Sequence, residues 1–313
     1  MIDVSIIIIS YNTKDILKQC VDSVVKQTKA IQYEIIIVDN ASKDGSAEMI
    51  KTDFPDIVLI ENQENKGFAA ANNQGIIKAK GQYILFLNSD TIILGSAIDK
   101  MIRFCNENSD VHALGCKLLN QDRTLQPSCY RFPSLIPIIG NILHLWIIPA
   151  FRKTILLQTL VLSHYDKIHK ADYVRGACLL IKRKVIECIG MFDERFFIYT
   201  EEADFCYRLK KAGFQLKYFP FAEVVHLGGG SSEPYVEALL FEKHKNPMQY
   251  YEKHHGRVAV ILYRILMMVR LIIQIIERSI FNIFRLMTNR SVKSVRSFWC
   301  LFKWLAKGSY DTK

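Results

Sequence analysis

The sequence predicts an α/β protein, an open and mostly parallel sheet flanked by helices, followed by a basic helical tail. Three observations carry that prediction. Continuous Ile/Val/Leu runs alternate with helix-like stretches through the first hundred residues, as strands buried on both faces do. Polar residues follow these runs, at Ser10 to Asn12, Asp39 and Asn40, Asn62, and Asn88 to Asp90. Nine of the ten net positive charges fall in residues 256–313, where eleven Lys and Arg stand against Glu277 and Asp311.

VSIIIIS (4–10) is the first strand. It has no basic stretch before it and its apolar run is short, so it reads as a strand and not a signal peptide. Thr13 to Gln27 alternates as a helix, EIIIVDN (34–40) is a second strand, and SKDGSAEMIKTDF turns and continues helically. IVLIEN (57–62) is a third strand, Gly67 to Lys80 a helix and QYILFLN (82–88) a fourth strand. Later, ACLLI reads as a strand, Lys182 to Ile189 as a short helix, and Thr200 as the N-cap of a helix ending at Gly213. KYFPFAEVVH (217–226) is strand-like and leads into three glycines. The α/β body therefore spans 1–255. Within it, 134–165 is an apolar insertion interrupted by Pro137, Gly140 and Pro149, either an interfacial segment or a core helix pair.

The eight cysteines form no CxxC pair and sit mostly in apolar runs, which points to reduced, buried thiols and excludes a disulfide framework or zinc site. The charge is confined to the tail, so a membrane surface is expected as partner and nucleic acid is not.

In open α/β sheets, ligands bind outside the carboxyl ends of the strands. That is where Asp39, Asp90 and His226 stand, with Glu201, Glu202 and Asp204 opening a helix. An Asp and a His at two strand ends suit Mn²⁺ or Mg²⁺, with positions left for phosphate oxygens. Taken singly, Asp90 is also a common cap or turn residue, and His226 reads equally as a satisfied core histidine. The helix-opening acids also suit the macrodipole alone.

SIIIISYN (5–12), VDNASKDGS (38–46), NKGFAAANNQG (65–75), FLNSDT (86–91), RGACLLIKR (175–183), FDERFFIYTEEADFCYRLKKAGF (192–214) and VVHLGGGSS (224–232) stand in an order that resembles family 2 glycosyltransferases of the GT-A fold, closest to the rhamnosyltransferase-like branch. The resemblance covers about residues 3–232. It implies an inverting transferase moving a sugar from a nucleoside diphosphate donor, dTDP-rhamnose or a UDP-sugar. Ser10, Tyr11, Asp39, Asn65, Gly67, Asn88, Arg175 and Gly176 would bind that donor. Asp39 would accept the N3–H of uracil or thymine, or else form an Asx-turn. Tyr11 would stack on the base, or else is a buried aromatic. Arg175 would touch diphosphate or pair with an acid.

The family's DxD metal motif is Asn88-Ser89-Asp90 here, with one carboxylate in place of two. Asp90 and His226 are the implied ligands, and Asn88 would hold ribose or a metal-bound water. The general base is implied at Glu202, with Glu201 and Asp204 beside it. Asn88 keeps a second reading open, a catalytically weak nucleotide-sugar-binding scaffold.

In the tail, Arg257, Arg264, Arg278 and Arg285 fall within a quarter turn of one helix. A spanning helix would bury Arg264 and Arg270 at about 2.5–3.5 kcal/mol each, so an in-plane amphipathic helix with arginines at anionic headgroups is the reading adopted. Spanning the bilayer or forming a dimerisation arm are the alternatives. The expected acceptor is a glycan or polyprenyl-diphosphate-linked molecule in surface polysaccharide assembly, at the cytoplasmic face of the inner membrane.

Overall fold

The computed structural model describes residues 1–148, 165–228, 236–287 and 296–307. The chain divides into two compact units, one of Met1–Phe132 with Leu160–Tyr235 and one of Pro133–Thr159 with Val236–Lys313.

The first unit opens as the apolar runs dictate. β1 (Val4–Ser10), β2 (Tyr33–Asp39), β3 (Val58–Glu61) and β4 (Tyr83–Asn88) alternate with α1 (Lys14–Gln27), α2 (Ser46–Asp53) and α3 (Gly67–Lys78). β1 pairs parallel with both β2 and β4. Alternation sorts its isoleucines: Ile6 and Ile8 join one core layer with Leu17, Val21 and Met101, while Ile7 joins the other with Ile36, Phe86 and Ile76. Each of these fully buried side chains contributes about 1.5–3 kcal/mol relative to exposure.

β5 (Thr91–Ile93), α4 (Ala97–Glu107), β6 (Ala113–Leu119), β7 (Leu125–Gln126), β8 (Cys129–Tyr130), β9 (His169–Lys170) and β10 (Tyr173–Val174) are elements beyond those the sequence predicts. β11 (Cys178–Lys182) leads into α6 (Arg183–Ile189), followed by α7 (Glu201–Lys211) and β12 (Leu216–His226). The sheet order is β3-β2-β1-β4-β11-β6-β12-β5, with β7 on β6 and β9 on β12. β11 runs antiparallel to β4 and β6, so the sheet is mixed, parallel through its first four strands. Thr200 holds the cap position of α7 in the left-handed region, with no side-chain cap hydrogen bond. The expected Thr200 N-cap is thereby corrected: an N-cap residue takes an extended backbone to aim its oxygen at the helix N–H groups, and Thr200 has φ 74°.

The second unit holds α5 (Ile136–Ile142), a 3₁₀ turn at Leu145–Ile147, a long helical segment α8 (Val236–Met287) and α9 (Arg296–Lys307). α8 is broken at Gly256 (φ 80°, ψ 177°), a conformation glycine adopts without steric cost. α5 and α9 both pack on α8. Arg264 donates to the Leu305 carbonyl at 2.6 and 3.1 Å, and the Arg278 guanidinium lies 4.5 Å from the Phe298 ring centre. These two arginines therefore face α9 and not open solvent, against the expectation that they line a headgroup surface. The exposed stripe is apolar: Val258, Ile261, Ile265, Val269, Ile272, Ile276 and Ile280 recur at the three- and four-residue spacing of one helix face. Ile136, Ile139, Leu143, Ile147 and Ile148 of the same unit are also exposed. Phe241–Asn282 is long and apolar enough, by length and composition, to cross a membrane.

Candidate active site

Strand register assembles the first part of the site. Ser10 lies opposite Asp39 on β2, Ile9 opposite Asn88 on β4, and Thr91 opposite His226 on β12. Asp90 sits in the tight connection between β4 and β5, and its carbonyl accepts from Leu227 N at 2.9 Å. That bond ties the end of β12 back onto the β4 turn. His226 Nε2 is thereby held 3.3 Å from Asp90 Oδ1, both side chains about 8% exposed. Asn88 Nδ2 is 3.5 Å from the same nitrogen. Burial opposes ionisation of Asp90, but a His226 ring that carries a proton on Nε2 outweighs it through its hydrogen bond and charge and holds the carboxyl below its usual range; without that proton Nε2 offers a lone pair at the same place.

These atoms fit a divalent cation shared with a polyphosphate. One carboxylate and one imidazole converge, and the buried Asn88 Oδ1 has no hydrogen-bond partner. Among the described residues no group of three or more His, Cys, Asp and Glu could hold a metal. Ligand oxygens would complete the shell, as they do for ions bound with phosphates.

Asp39 is 3% exposed. Its Oδ2 accepts from Ser42 N at 2.9 Å, the Asx-turn of the sequence reading, while Oδ1 is buried with no partner. Burial, only partly offset by Ser42, raises its pKa. One carboxylate oxygen thus shapes the turn and the other is left for an incoming donor. Ser10 Oγ is 3.2 Å from Thr13 Oγ1, which in turn contacts Ser89 Oγ at 3.3 Å. Tyr11 follows at the strand end, half-buried. Asn65 and Gly67 shape a turn: Asn65 Oδ1 accepts from Asn40 Nδ2 and Gly67 N. Gly67 has φ 82°, and a Cβ there would lie 2.5 Å from the Phe197 carbonyl oxygen. The space beside Gly67 is thus filled by the loop before α7.

That loop delivers the acids. Tyr199 and Thr200 both have positive φ, 71° and 74°, strain of about 1–3 kcal/mol each of the kind that collects at functional sites. Glu201, 5% exposed, has a pKa well above the ordinary carboxylate range, through burial and then the charge of Glu202. Glu202 is half-buried and also raised by burial, with Arg175 and the backbone N–H groups of Gly176 and Thr200 pulling the other way. Asp204 is wholly buried and bonded to Arg208 at 2.9 Å. Arg208 also donates to the carbonyls of Ile189 and Met191, so this pair anchors α7 to the preceding loop.

The segment before β11 joins the two halves. Asn88 N donates to the Ala177 carbonyl at 3.0 Å, and a Cβ at Gly176 would lie 3.9 Å from the Glu202 Cβ. Gly176 and Ala177 therefore separate Asn88 from Glu202 by one backbone width. Arg175 donates to Tyr130 Oη at 2.7 Å and to Gln126 Oε1 at 3.5 Å. Gln126 and Tyr130 were absent from the sequence reading; both lie on two-residue strands that leave no periodic signal. Gly229 to Ser232 of the glycine-rich loop lie outside the described residues. A cavity of about 490 Å³ lined by Lys100, Lys117, Phe221 and Glu223 contains none of these site residues.

The model of glycosyl transferase family 2 matches residues 5–190. The chain is 25% identical over 234 residues to an N-acetylglucosaminyl-diphospho-decaprenol L-rhamnosyltransferase of Mycobacterium tuberculosis, covering 71% of this chain and 75% of that one. It is 39% identical over 117 residues to a poly(ribitol-phosphate) beta-glucosyltransferase of Bacillus spizizenii, 36% of this chain and 18% of that one. Among solved structures, mannosyltransferase PcManGT from Pyrobaculum calidifontis, in complex with GDP-Man and Mn²⁺, superposes with a TM-score of 0.55 at 16% identity, over 81% of this chain and 64% of that one. GalNAc-T7 with UDP, GalNAc and Mn²⁺ gives 0.54 at 15% identity, over 81% and 52%. At such identities the likeness is one of fold, and the fold is GT-A.

Proposed function

Because this chain belongs to glycosyl transferase family 2, we propose that it is an inverting, metal-dependent transferase that moves a sugar from a nucleoside diphosphate donor, dTDP-rhamnose or a UDP-sugar, to a lipid-linked glycan acceptor. The observation that carries this reading is the Asp90–His226 pair at the sheet edge, with Glu202 lying beside Gly176, whose neighbour Ala177 accepts from Asn88 N of the same turn as Asp90.

The residues divide the work. Asp39 Oδ1, buried and unpartnered, accepts the imide N–H of uracil or thymine. Asp90 and His226 would hold Mn²⁺ or Mg²⁺, which when bound would supply positive charge against that building on the diphosphate leaving group. Glu202, raised by burial, takes the proton of the acceptor hydroxyl as its oxygen attacks the anomeric carbon. The charge of Glu202 in turn raises the pKa of Glu201 beside it. Arg175, held by Tyr130 and Gln126, supplies the cation for the diphosphate. Asp204 is bonded to Arg208, which suits anchoring α7 better than proton transfer.

The exposed apolar stripe on α8 and the mycobacterial relative's decaprenol-linked name support association with a membrane, which we assign to its cytoplasmic leaflet. A thermal-shift screen of nucleoside diphosphate sugars with and without Mn²⁺, followed by a transfer assay on the hits, tests the reading. A metal-dependent shift with dTDP- or UDP-sugars and their turnover is expected. Tight binding without turnover of any donor would instead favour the scaffold reading that Asn88 keeps open.

A further inference from the structure

Behind the His226 ring stands a side chain to which the function just proposed gives no role. Gln126 ends β7, opposite Leu118 on β6. Its amide can be oriented without ambiguity. Gln126 Nε2 is 3.2 Å from the His226 carbonyl oxygen, which can only accept. Gln126 Oε1 is 3.5 Å from Arg175 Nη1, which can only donate. Nε2 also donates to Asn120 Oδ1 at 2.9 Å. The oxygen therefore faces the imidazole, 2.7 Å from His226 Nδ1, and Nδ1 must carry the proton. The other ring nitrogen, Nε2, is the one turned toward Asp90 Oδ1 at 3.3 Å.

We propose that Gln126 is a positioning residue that locks His226 with its proton on Nδ1 and the lone pair of Nε2 directed at Asp90, so that the two side chains present one nitrogen and one oxygen to the same divalent cation. This rests on the function proposed above. The physical reason is general. A ligating imidazole is held by the acceptor on its other nitrogen, and loss of that acceptor typically weakens the metal 10–100-fold. Here the acceptor is a neutral amide, itself held by Asn120, Arg175 and the His226 backbone. It therefore fixes the ring without adding charge to a site that already has only one carboxylate ligand. The same oxygen receives Arg175, so the metal side and the segment leading to Gly176 are braced through one atom.

The test uses the full chain. ¹⁵N-histidine NMR, with His226 assigned by loss of its resonances in His226→Gln, reads the tautomer directly. Mn²⁺ titrations followed by electron paramagnetic resonance, alone and with UDP or dTDP, read the metal. Wild type should show the Nδ1–H pattern. Gln126→Leu should show mixed tautomers and about 10–100-fold weaker Mn²⁺ binding, with metal-free nucleotide binding unchanged. Gln126→Glu, which keeps an acceptor facing Nδ1, should restore most of the affinity. An Nε2–H pattern in wild type, or wild-type Mn²⁺ affinity in Gln126→Leu while His226→Ala loses it, overturns the role of Gln126 alone. Wild type that binds no Mn²⁺, or His226→Ala that binds it normally, overturns the metal site and this inference with it.

Discussion

Glu201 and Glu202 lie side by side with raised pKa values, yet for one purpose only one of them is needed. Glu202 has the backbone of Gly176 beside it and Arg175 favouring its charge; Glu201 is the more deeply buried and is penalised by its neighbour. As the base, Glu202 must be ionised, so kcat/KM should climb with pH through a value above the ordinary carboxylate range. Glu202→Gln should lower transfer about 10²–10⁴-fold while donor-induced thermal shifts persist. Glu201 yields a stability prediction of known sign. A carboxyl whose folded pKa is raised favours the fold when protonated, and that contribution is lost as pH rises from its unfolded value, about 4.3, through its folded one. Glu201→Gln should therefore raise the melting temperature at pH 7–8, with the gain shrinking toward pH 4; a gain independent of pH would contradict the burial argument. Arg208 supplies the contrast. Removing it with Arg208→Ala leaves Asp204 wholly buried without its ion-pair partner and should cost about 3–5 kcal/mol, read by urea unfolding.

At the scale of elements, what was legible followed periodicity. The four parallel strands and their helices were marked by runs such as SIIIIS and EIIIV, and the polar ends of those runs identified Asp39, Asn88 and Asp90 at the right edge of the sheet. β6 was missed although it is central, because ALGCKLL breaks its apolar run with Gly115 and Lys117. β7, β8, β9 and β10 have two residues each and no period to detect; their pairing is dictated by tertiary contacts, and Gln126 and Tyr130 were hidden with them. Gly67, expected among the donor-binding residues, also has a packing role: its bare backbone admits the Phe197 carbonyl and so fixes the loop that launches α7. Gly67→Ala should therefore destabilise by more than Gly190→Ala. Both have positive φ, but a Cβ at Gly190 (φ 80°, ψ 176°) meets nothing within 4 Å, leaving only the backbone cost of about 1–3 kcal/mol, while at Gly67 overpacking adds roughly 1–3 kcal/mol to the backbone cost. Equal losses in chemical denaturation would remove the steric explanation.

On the scale of the whole molecule, the second unit carries most of the net charge and the apolar stripe on which the proposed membrane association rests. Its charge suggested a basic surface, and the structure redistributes that charge: Arg264 and Arg278 are turned to α9, and the outward face of α8 is a row of Val and Ile from 258 to 280. Seven such side chains on one monomer face form the kind of contiguous apolar patch that marks an interaction surface. Lipid accounts for it through burial of the stripe alone, without headgroup contacts from those two arginines. The break at Gly256 and the arginines at 264, 270 and 278 disfavour a single straight span, since each arginine would cost about 2.5–3.5 kcal/mol near the bilayer centre. An in-plane helix anchored by apolar burial should resist high salt, unlike a purely electrostatic anchor, which salt alone releases. Ile265→Asp with Ile272→Asp tests this directly, because both side chains are exposed and the fold should survive. Each lost isoleucine removes about 1.5–3 kcal/mol of burial, so the pair should lower partition into vesicles at least roughly tenfold, a factor of ten per 1.4 kcal/mol, while turnover of a soluble acceptor analogue is unchanged. Partition that survives the double substitution but falls with salt would return the anchor to the arginines.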